Sequence, residues 1–592
     1  MTAQRPLRIG NYAGFYGDRL SAAQDMVTQG PIDVLTGDYL AELTMLILWK
    51  AKQKDPDAGF AKTFLLQMEE ILGTCLDRGI KVVANAGGLN PEGLVTKLSQ
   101  LSERLGLSPR LAYVDGDDIL DRIPELQARG IDLAHLDTGT PLADSTGDPV
   151  TANAYLGGWG ITEALGAGAD IVVCPRVTDA SLVVGAAAWW HGWERTDFDA
   201  LAGAVAAGHV IECGPQACGG NYPWLDELED RRQPGYPIAE VAGDGSSVIT
   251  KHEGTGGTVT VGTVTAQLLY EIGPPGYLNP DVIARFDTAR LSQEAPDRVR
   301  IEGVRGEAPT DSLKVALNRR GGYRNSVTMV VTGQSIEEKA AWAQEQLFAD
   351  LGGRDQFDDV DVHLARFDRT DAETEQLAGA HLTVTVKSTD KEKVGRRFSN
   401  AATGLYLGGY AGFHTLTPPS DASSFGVYWP TLVPAAEVEH TVTLPDGQVR
   451  TIAPIRASSD EQRDTQVPDV QLPPVPEGPT ERAALGLICG ARSGDKGGNV
   501  NVGLWTRDAH AYSWLREWMT IERFRSVVPE IGDLPVAWYE LPNLYAVNFV
   551  VTGLLGDGVA SSTRPDPQAK ALGEYVRSRF ADIPKSLLNR GE

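Results

Sequence analysis

Cysteine is scarce, and its placement excludes a disulfide scaffold. Five residues (Cys75, Cys174, Cys213, Cys218, Cys489) are scattered over 592 positions, so the thiols are expected to be reduced. Only Cys213 and Cys218 stand close. Their spacing is neither that of a zinc knuckle nor that of a redox dithiol, and no metal site is expected. Long basic runs are also missing: no Lys/Arg block exceeds two residues, and 53 basic against 79 acidic side chains leave a net charge of −26. Such a chain repels phosphate polymers, which argues against nucleic acid and anionic membrane as partners. No apolar run approaches the ~18 to 20 residues of a membrane span, and residues 1–6, MTAQRP, lack the apolar core of a signal peptide. A cytoplasmic protein acting on a small molecule or another protein is expected, with association into a homo-oligomer.

The length exceeds the roughly 250 to 300 residues at which single cores stop growing, so two or more domains are expected. From 7 to about 175, short apolar runs (LRIG, IDVLTGD, KVVANAGG, RLAYVDGDD, ADIVVCPR) alternate with longer stretches of helical period. One of these, AKTFLLQMEEILGTCLDRG, ends at Gly79 as a C-terminal cap does. This alternation predicts an α/β core with a mainly parallel sheet over about 7–240, whose ligands bind at the carboxyl ends of the strands. The strand ends carry Asn11, Thr36 to Asp38, Asn85 with Gly87 and Gly88, Asp115 to Asp118, and Arg176 with Asp179. Each is equally readable as a cap on the following helix.

From about 241 to 456 the texture becomes α+β, with TVTVGTVTAQLLYEI and HLTVTVKST read as strands and SIEEKAAWAQEQLFADL as a helix. Residues 457–482 are polar and Pro-rich and form a linker. The remainder, 483–592, reads as a compact α+β unit of four strands and two helices, the helices over about 509–527 and 566–581.

Four segments carry candidate chemistry. In DIVVCPRVTDASLVVGAAAWW, Arg176 is placed to hold an anion and Asp179 to cap the next helix, or the two to brace the turn as an ion pair. In GHVIECGPQACGGNY, His209 and Glu212 fall together in a glycine-rich segment suited to proton transfer. In KHEGTGG, Lys251 is expected to anchor an anion or polarise a carbonyl and His252 to shuttle a proton as the alternative to His209 and Glu212, while the amides of Thr255, Gly256 and Gly257 are expected to form an oxyanion cradle before an apolar β run. In GARSGDKGGNVN, Arg492, Asp495, Lys496 and Asn499 occupy a glycine-rich turn richer than a hairpin needs; it is expected to recognise an anion and close over the site. The glycines of NYAGFYGDR do not match a dinucleotide fingerprint.

The strings NYAGFYGDR, VLTGDYLAELTM, NAGGLNP, CPRVTDASLV, GHVIECGPQACGGNY, KHEGTGG, ARSGDKGGNVNVG, ELPNLYAVNFVVTGLLG and SSTRPDPQAKALGEY together resemble the acyclic terpene utilisation AtuA family. The resemblance runs over about 7–455 and 483–585, and implies a large N-terminal domain followed by a small ferredoxin-like domain. The family takes its name from clusters for citronellol and geraniol degradation that also hold acyl-CoA carboxylases, dehydrogenases and enoyl-CoA hydratases. Taken with the cationic side chains Lys251, Lys496 and Arg492, suited to the phosphates of CoA, and the glycine-rich loops, suited to an acyl carbonyl, the expectation is an enzyme acting on a branched, unsaturated or isoprenoid-type acyl-CoA by hydration, dehydration or carbon–carbon cleavage, with a CoA thioester as substrate and no cofactor. The alternatives are a non-catalytic accessory subunit of an acyl-CoA carboxylase or dehydrogenase, and a nucleotide-dependent oxidoreductase. Family members often carry Thr or Ser near Cys218, which argues against a role for that thiol.

Overall fold

The computed structural model describes residues 5–455 and 465–588. Residues 457–464 of the 457–482 linker therefore lie outside the described residues. The described chain divides into two compact units: 5–318 with 428–455, 465–559 and 566–588, and 319–427 with 560–565.

The first unit is built on an eleven-stranded mixed sheet. Its centre is parallel: Leu7–Ala13, Val34–Gly37, Lys81–Ala84, Ile171–Val173 and Leu111–Asp115 lie side by side in that order. Antiparallel strands extend both edges, among them Pro237–Val241 and Ser247–Lys251 on one side and Thr441–Thr443 on the other.

Alternate residues of the central strands feed two separate cores, as the period of two requires. Leu35, Val82, Ala84, Ile171 and Val173 pack under the helices Lys62–Arg78 and Pro91–Leu105. Val34, Val83 and Val172 face the other way, toward Trp159–Gly166, Ser181–His191 and Phe198–Ile211. A sheet covered on both faces explains why its strands are continuously apolar. Gly79 ends the Lys62–Arg78 helix at φ +67°, the left-handed cap expected from its position.

One of the secondary-structure expectations fails. The run TVTVGTVTAQLL is not a strand: Val261–Leu268 is a helix, started by Thr260, whose hydroxyl accepts from the Thr263 amide while Thr263 returns a bond to the Thr260 amide. That reciprocal cap outweighs the strand preference of β-branched residues. His209 and Glu212 stand at the C-terminal end of the Phe198–Ile211 helix.

The 480–588 segment forms a four-stranded antiparallel sheet in the order Cys489–Lys496, Asn499–Thr506, Ala546–Val551, Val536–Leu541, with helices Ala509–Trp518, Ile521–Val527 and Leu572–Ser578. It has its own core, including Leu504, Phe524, Phe549 and Val576. Through Trp505, Leu541, Leu544 and Ala546 it also joins the core of the α/β part.

In the second unit, Asp359–Arg366 and Gly379–Ser388 pair antiparallel, and Gly379–Ser388 also pairs with 323–332. Helices Ile336–Leu351 and Arg396–Gly408 cover this sheet, burying Leu347, Phe348, Phe398 and Leu382. Among the described residues no helix is long and apolar enough to cross a membrane.

Candidate functional site

The carboxyl ends of the parallel strands converge as expected, but their polar side chains are spent mainly on each other. Asn85 donates to Asp38 at 2.5 Å and accepts from the Tyr39 amide at 2.7 Å. Asn11 donates to the carbonyls of Ile211 at 2.7 Å and Glu212 at 2.9 Å, and so holds the end of the Phe198–Ile211 helix. Gly87 and Gly88 are required by packing. A Cβ on the first would lie 2.7 Å from the Cys174 carbonyl oxygen, and one on the second 2.3 Å from Leu48.

Arg176 is buried, donates to the Leu40 carbonyl at 2.7 Å and to Asp179, and stacks 4.4 Å from the Tyr155 ring. Asp179 therefore braces the turn with Arg176 and leaves the Ser181–His191 helix without a side-chain cap. Of the two readings the sequence left open, the ion pair is the one present.

At the helix end, three residues of spacing put His209 and Glu212 on one face, with Nδ1 and Oε1 3.3 Å apart and both side chains at most 5% exposed. The imidazole is packed against Tyr277 at 4.8 Å and Phe286 at 5.5 Å. Glu212 Oε2 has no hydrogen-bond partner among the described residues.

Burial, reinforced by the Lys496 ammonium, lowers the His209 pKa to about 4, so the ring is neutral at pH 7. Burial, with Asp179 and Glu271 nearby, pushes the Glu212 carboxyl well up. Burial first, then Glu271 and Glu42, raises Asp495 to about 8. A neutral base thus stands beside a carboxyl whose surroundings favour its protonated form.

The hairpin expected to be a loop is strand almost to its tip. Cys489–Lys496 and Asn499–Thr506 pair in register, Lys496 opposite Asn499, and only Gly497 and Gly498 turn. Pairing along the two strands takes up amides that a loop would have left free for an anion, and at the tip the Gly497 amide turns instead to Glu42. The glycines instead permit close packing: a Cβ on Gly494 would lie 2.4 Å from the Tyr270 ring, and one on Gly503 2.7 Å from Leu269. Arg492 is taken up by Gln216 and by the face of Tyr270, 4.2 Å away. Asn499 bonds to Asp137 at 2.7 Å and receives the Gly553 amide at 2.9 Å.

Lys496 is the exception. It is exposed, with Nζ 2.8 Å from the Glu271 carbonyl and 5.3 Å from the Tyr277 ring. The hairpin tip therefore does stand at the His209–Glu212 site. The adjacent Gly497 amide donates to Glu42 at 3.1 Å, and Glu42 also faces Lys314 at 3.4 Å.

The KHEGTGG loop shares no partner with this cluster. Lys251 is tied to Asp297 at 3.0 Å and to the Thr255 carbonyl at 2.8 Å. His252 meets the Met26 carbonyl at 3.0 Å. The Gly257 amide donates to the Asp230 carbonyl at 2.7 Å, and a Cβ on Gly256 would strike the Gln233 carbonyl. The Thr255 amide likewise donates to the His252 carbonyl at 3.4 Å, so two of the three amides expected to form the oxyanion cradle are committed to backbone carbonyls. His252, Thr255 and Gly256 line a separate cavity of about 440 Å³ with Arg19, Asp230 and Tyr236.

Sequence reasoning missed Glu271, Tyr277, Lys314 and Tyr155. Glu271 sits in YEIGPPGY, and only the turn residues after it mark the position; nothing in DSLKVAL singles out Lys314. Among the described residues no cluster of His, Cys, Asp and Glu is arranged to hold a metal.

The family model described as acyclic terpene utilisation family protein AtuA matches residues 7–444, and that of the AtuA ferredoxin-like domain matches 483–580. No curated protein and no solved structure matches the chain.

Proposed function

The chain belongs to the acyclic terpene utilisation AtuA family, whose name supports a role in terpene catabolism, and on that premise we propose that it hydrates and dehydrates a branched, isoprenoid-type acyl-CoA thioester. The observation that carries this reading is the buried His209–Glu212 pair, 3.3 Å apart, an imidazole held neutral beside a carboxyl whose ionisation burial disfavours. Adding water across a conjugated double bond needs one group to take a proton and another to give one.

In this reading His209 accepts a proton from water as the water oxygen bonds to the β-carbon, and Glu212 protonates the α-carbon. The proton held on His209 then crosses the 3.3 Å gap to Glu212 and restores both groups. Net, one water is consumed. Negative charge developing on the thioester oxygen is offset by Lys496, the exposed cation of the cluster.

The test is incubation with a branched 2-enoyl-CoA, following loss of the conjugated absorbance and the mass gain of one water. Neither change, together with no acyl-CoA among the small molecules that co-purify, would refute the reading. Lys496→Ala is expected to weaken acyl-CoA binding by calorimetry at least tenfold, about 1.4 kcal/mol.

A further inference from the structure

Glu271 occupies a conformation that a non-glycine residue rarely adopts, with φ +57°. Strain of this kind persists only where the surroundings over-determine it, and here the 480–588 module does so. The Glu271 amide donates to Asn501 Oδ1 at 2.8 Å, and its carbonyl accepts from Lys496 at 2.8 Å. On either side, the Leu269 carbonyl accepts from Asn501 Nδ2 at 2.7 Å. The carbonyls of Ile272 and Gly273 accept from Asn548 Nδ2 at 3.1 and 2.8 Å. The two asparagines bond to each other at 2.9 Å, and both are at most 1% exposed.

Further along, Asn543 donates to the carbonyls of Phe286 and Ala289 at 2.8 and 2.9 Å. Three asparagine amides of one module thus hold the segment 269–289 of the other. That segment supplies Tyr277 and Phe286, the rings against His209. Asparagine suits this task because one amide both donates and accepts, matching carbonyls and an N–H in the same turn.

Held this way, Glu271 differs from Glu212 in one respect that matters. A third of its side chain remains exposed, against 5% for Glu212. We infer that Glu271 exchanges protons between the buried His209–Glu212 pair and solvent, and that Asn501 and Asn548 are its positioning residues, so that the site is complete only with the C-terminal module docked.

The proton-exchange role rests on the hydratase reading; the positioning role does not. Glu271 is faced by Lys496, Asp495 and Arg492 of the hairpin and by Lys570 at 3.7 Å. From the α/β part it is faced by His209, Glu212 and Cys213 at the helix end, and by Asp179, Glu42 and Tyr277. Desolvation is the largest influence on it and raises its carboxyl to about 7, a value suited to exchange at neutral pH.

The experiment is a carbon NMR titration of the full chain labelled at the glutamate side-chain carboxyls, without substrate, with the Glu271 signal assigned by its loss in Glu271→Gln. The expected midpoint lies well above that of an ordinary glutamate, and Asn548→Ala displaces it by about half a unit or more. Asn501→Leu, which removes the acceptor for the Glu271 amide and the donor to Leu269 and Asn548 without adding a charge, serves as a second variant should Asn548→Ala fail to fold. A Glu271 midpoint in the ordinary glutamate range, or one unmoved in the folded variants, overturns the positioning role.

A second arm compares the pH profile of enoyl-CoA hydration in wild type and Glu271→Gln. A flattened neutral limb in the variant is expected, and an unchanged profile overturns the exchange role. A wild type that hydrates no enoyl-CoA removes the exchange role along with the hydratase reading, while the titration still decides the positioning role.

Discussion

Replacing Asn548 by alanine should loosen one stretch of the α/β part far more than it disturbs the sheet that carries the asparagine. The side chain makes three hydrogen bonds: donations to Ile272 and Gly273, and acceptance from Asn501. At about 1 kcal/mol each for buried bonds, their loss amounts to about 3 kcal/mol of local stability. Asn501→Ala also removes three, to Leu269, to the Glu271 amide and to Asn548, and should cost a similar amount. Because the bond between the two asparagines is lost in either variant, the double variant should fall short of the sum by about 1 kcal/mol.

Hydrogen exchange read by mass spectrometry on peptides spanning 269–289 is the suitable assay, since it reports local opening apart from global unfolding. A cost of about 3 kcal/mol corresponds to exchange faster by about a hundredfold in that segment. Peptides from Lys62–Arg78 should be unchanged. Exchange in 269–289 within about threefold of wild type would show that the asparagines do not hold the segment, and the clamp would have to be abandoned.

Further outcomes follow from the packing and the charges. Gly494→Val forces a side chain into the Tyr270 ring and should cost about 1 to 3 kcal/mol, seen as a lower urea midpoint; an unchanged midpoint would mean that the hairpin is not seated there. His209 has a depressed pKa, so its contribution to stability is present above pH 6.5 and lost as pH falls toward about 4. Between pH 7 and 5, wild type should accordingly lose about 2 kcal/mol more than His209→Asn, and parallel pH dependence would contradict the burial of a neutral ring. Ellman's reagent should find at most one reactive thiol in the native protein, since Cys75, Cys174, Cys218 and Cys489 are buried and Cys213 is half-buried with its thiol pushed up; two or more fast thiols would contradict the fold.

The parallel core was legible because its signals are local and periodic: apolar runs at the right spacing, and Gly79 where a helix must stop. The helix at Val261–Leu268 was not, because its residues are poor helix formers and its start depends on a pair of threonines rather than on a hydrophobic stripe. The hairpin at 489–506 shows the same limit from the other side. Its glycines look like a flexible loop in the sequence, whereas Gly494 and Gly503 are small because Tyr270 and Leu269 lie against them. That neighbour is more than two hundred residues away. For the site, His209, Glu212 and Lys496 stood out by type and setting, and the structure brings them together. Lys251 and His252 stood out equally and are placed elsewhere, since local density of titratable groups says nothing about which face of the fold receives them. Glu271 left almost no trace, because its left-handed backbone and its partners are set by a module more than two hundred positions downstream.

Alanine, glycine and valine make up most of the 14-residue Phe198–Ile211 helix, and all of it except Asp199 is buried. It packs against the helices Ser181–His191 and Val261–Leu268 and the strands Pro237–Val241, Ser247–Lys251 and Ile283–Arg285. Such a rod has no water-facing side on which to wait while its neighbours assemble. The imidazole and carboxyl at its tip therefore acquire their spacing only when every wall around the rod is in place, and turnover, once measurable, would double as a gauge of whether maturation of the polypeptide had finished.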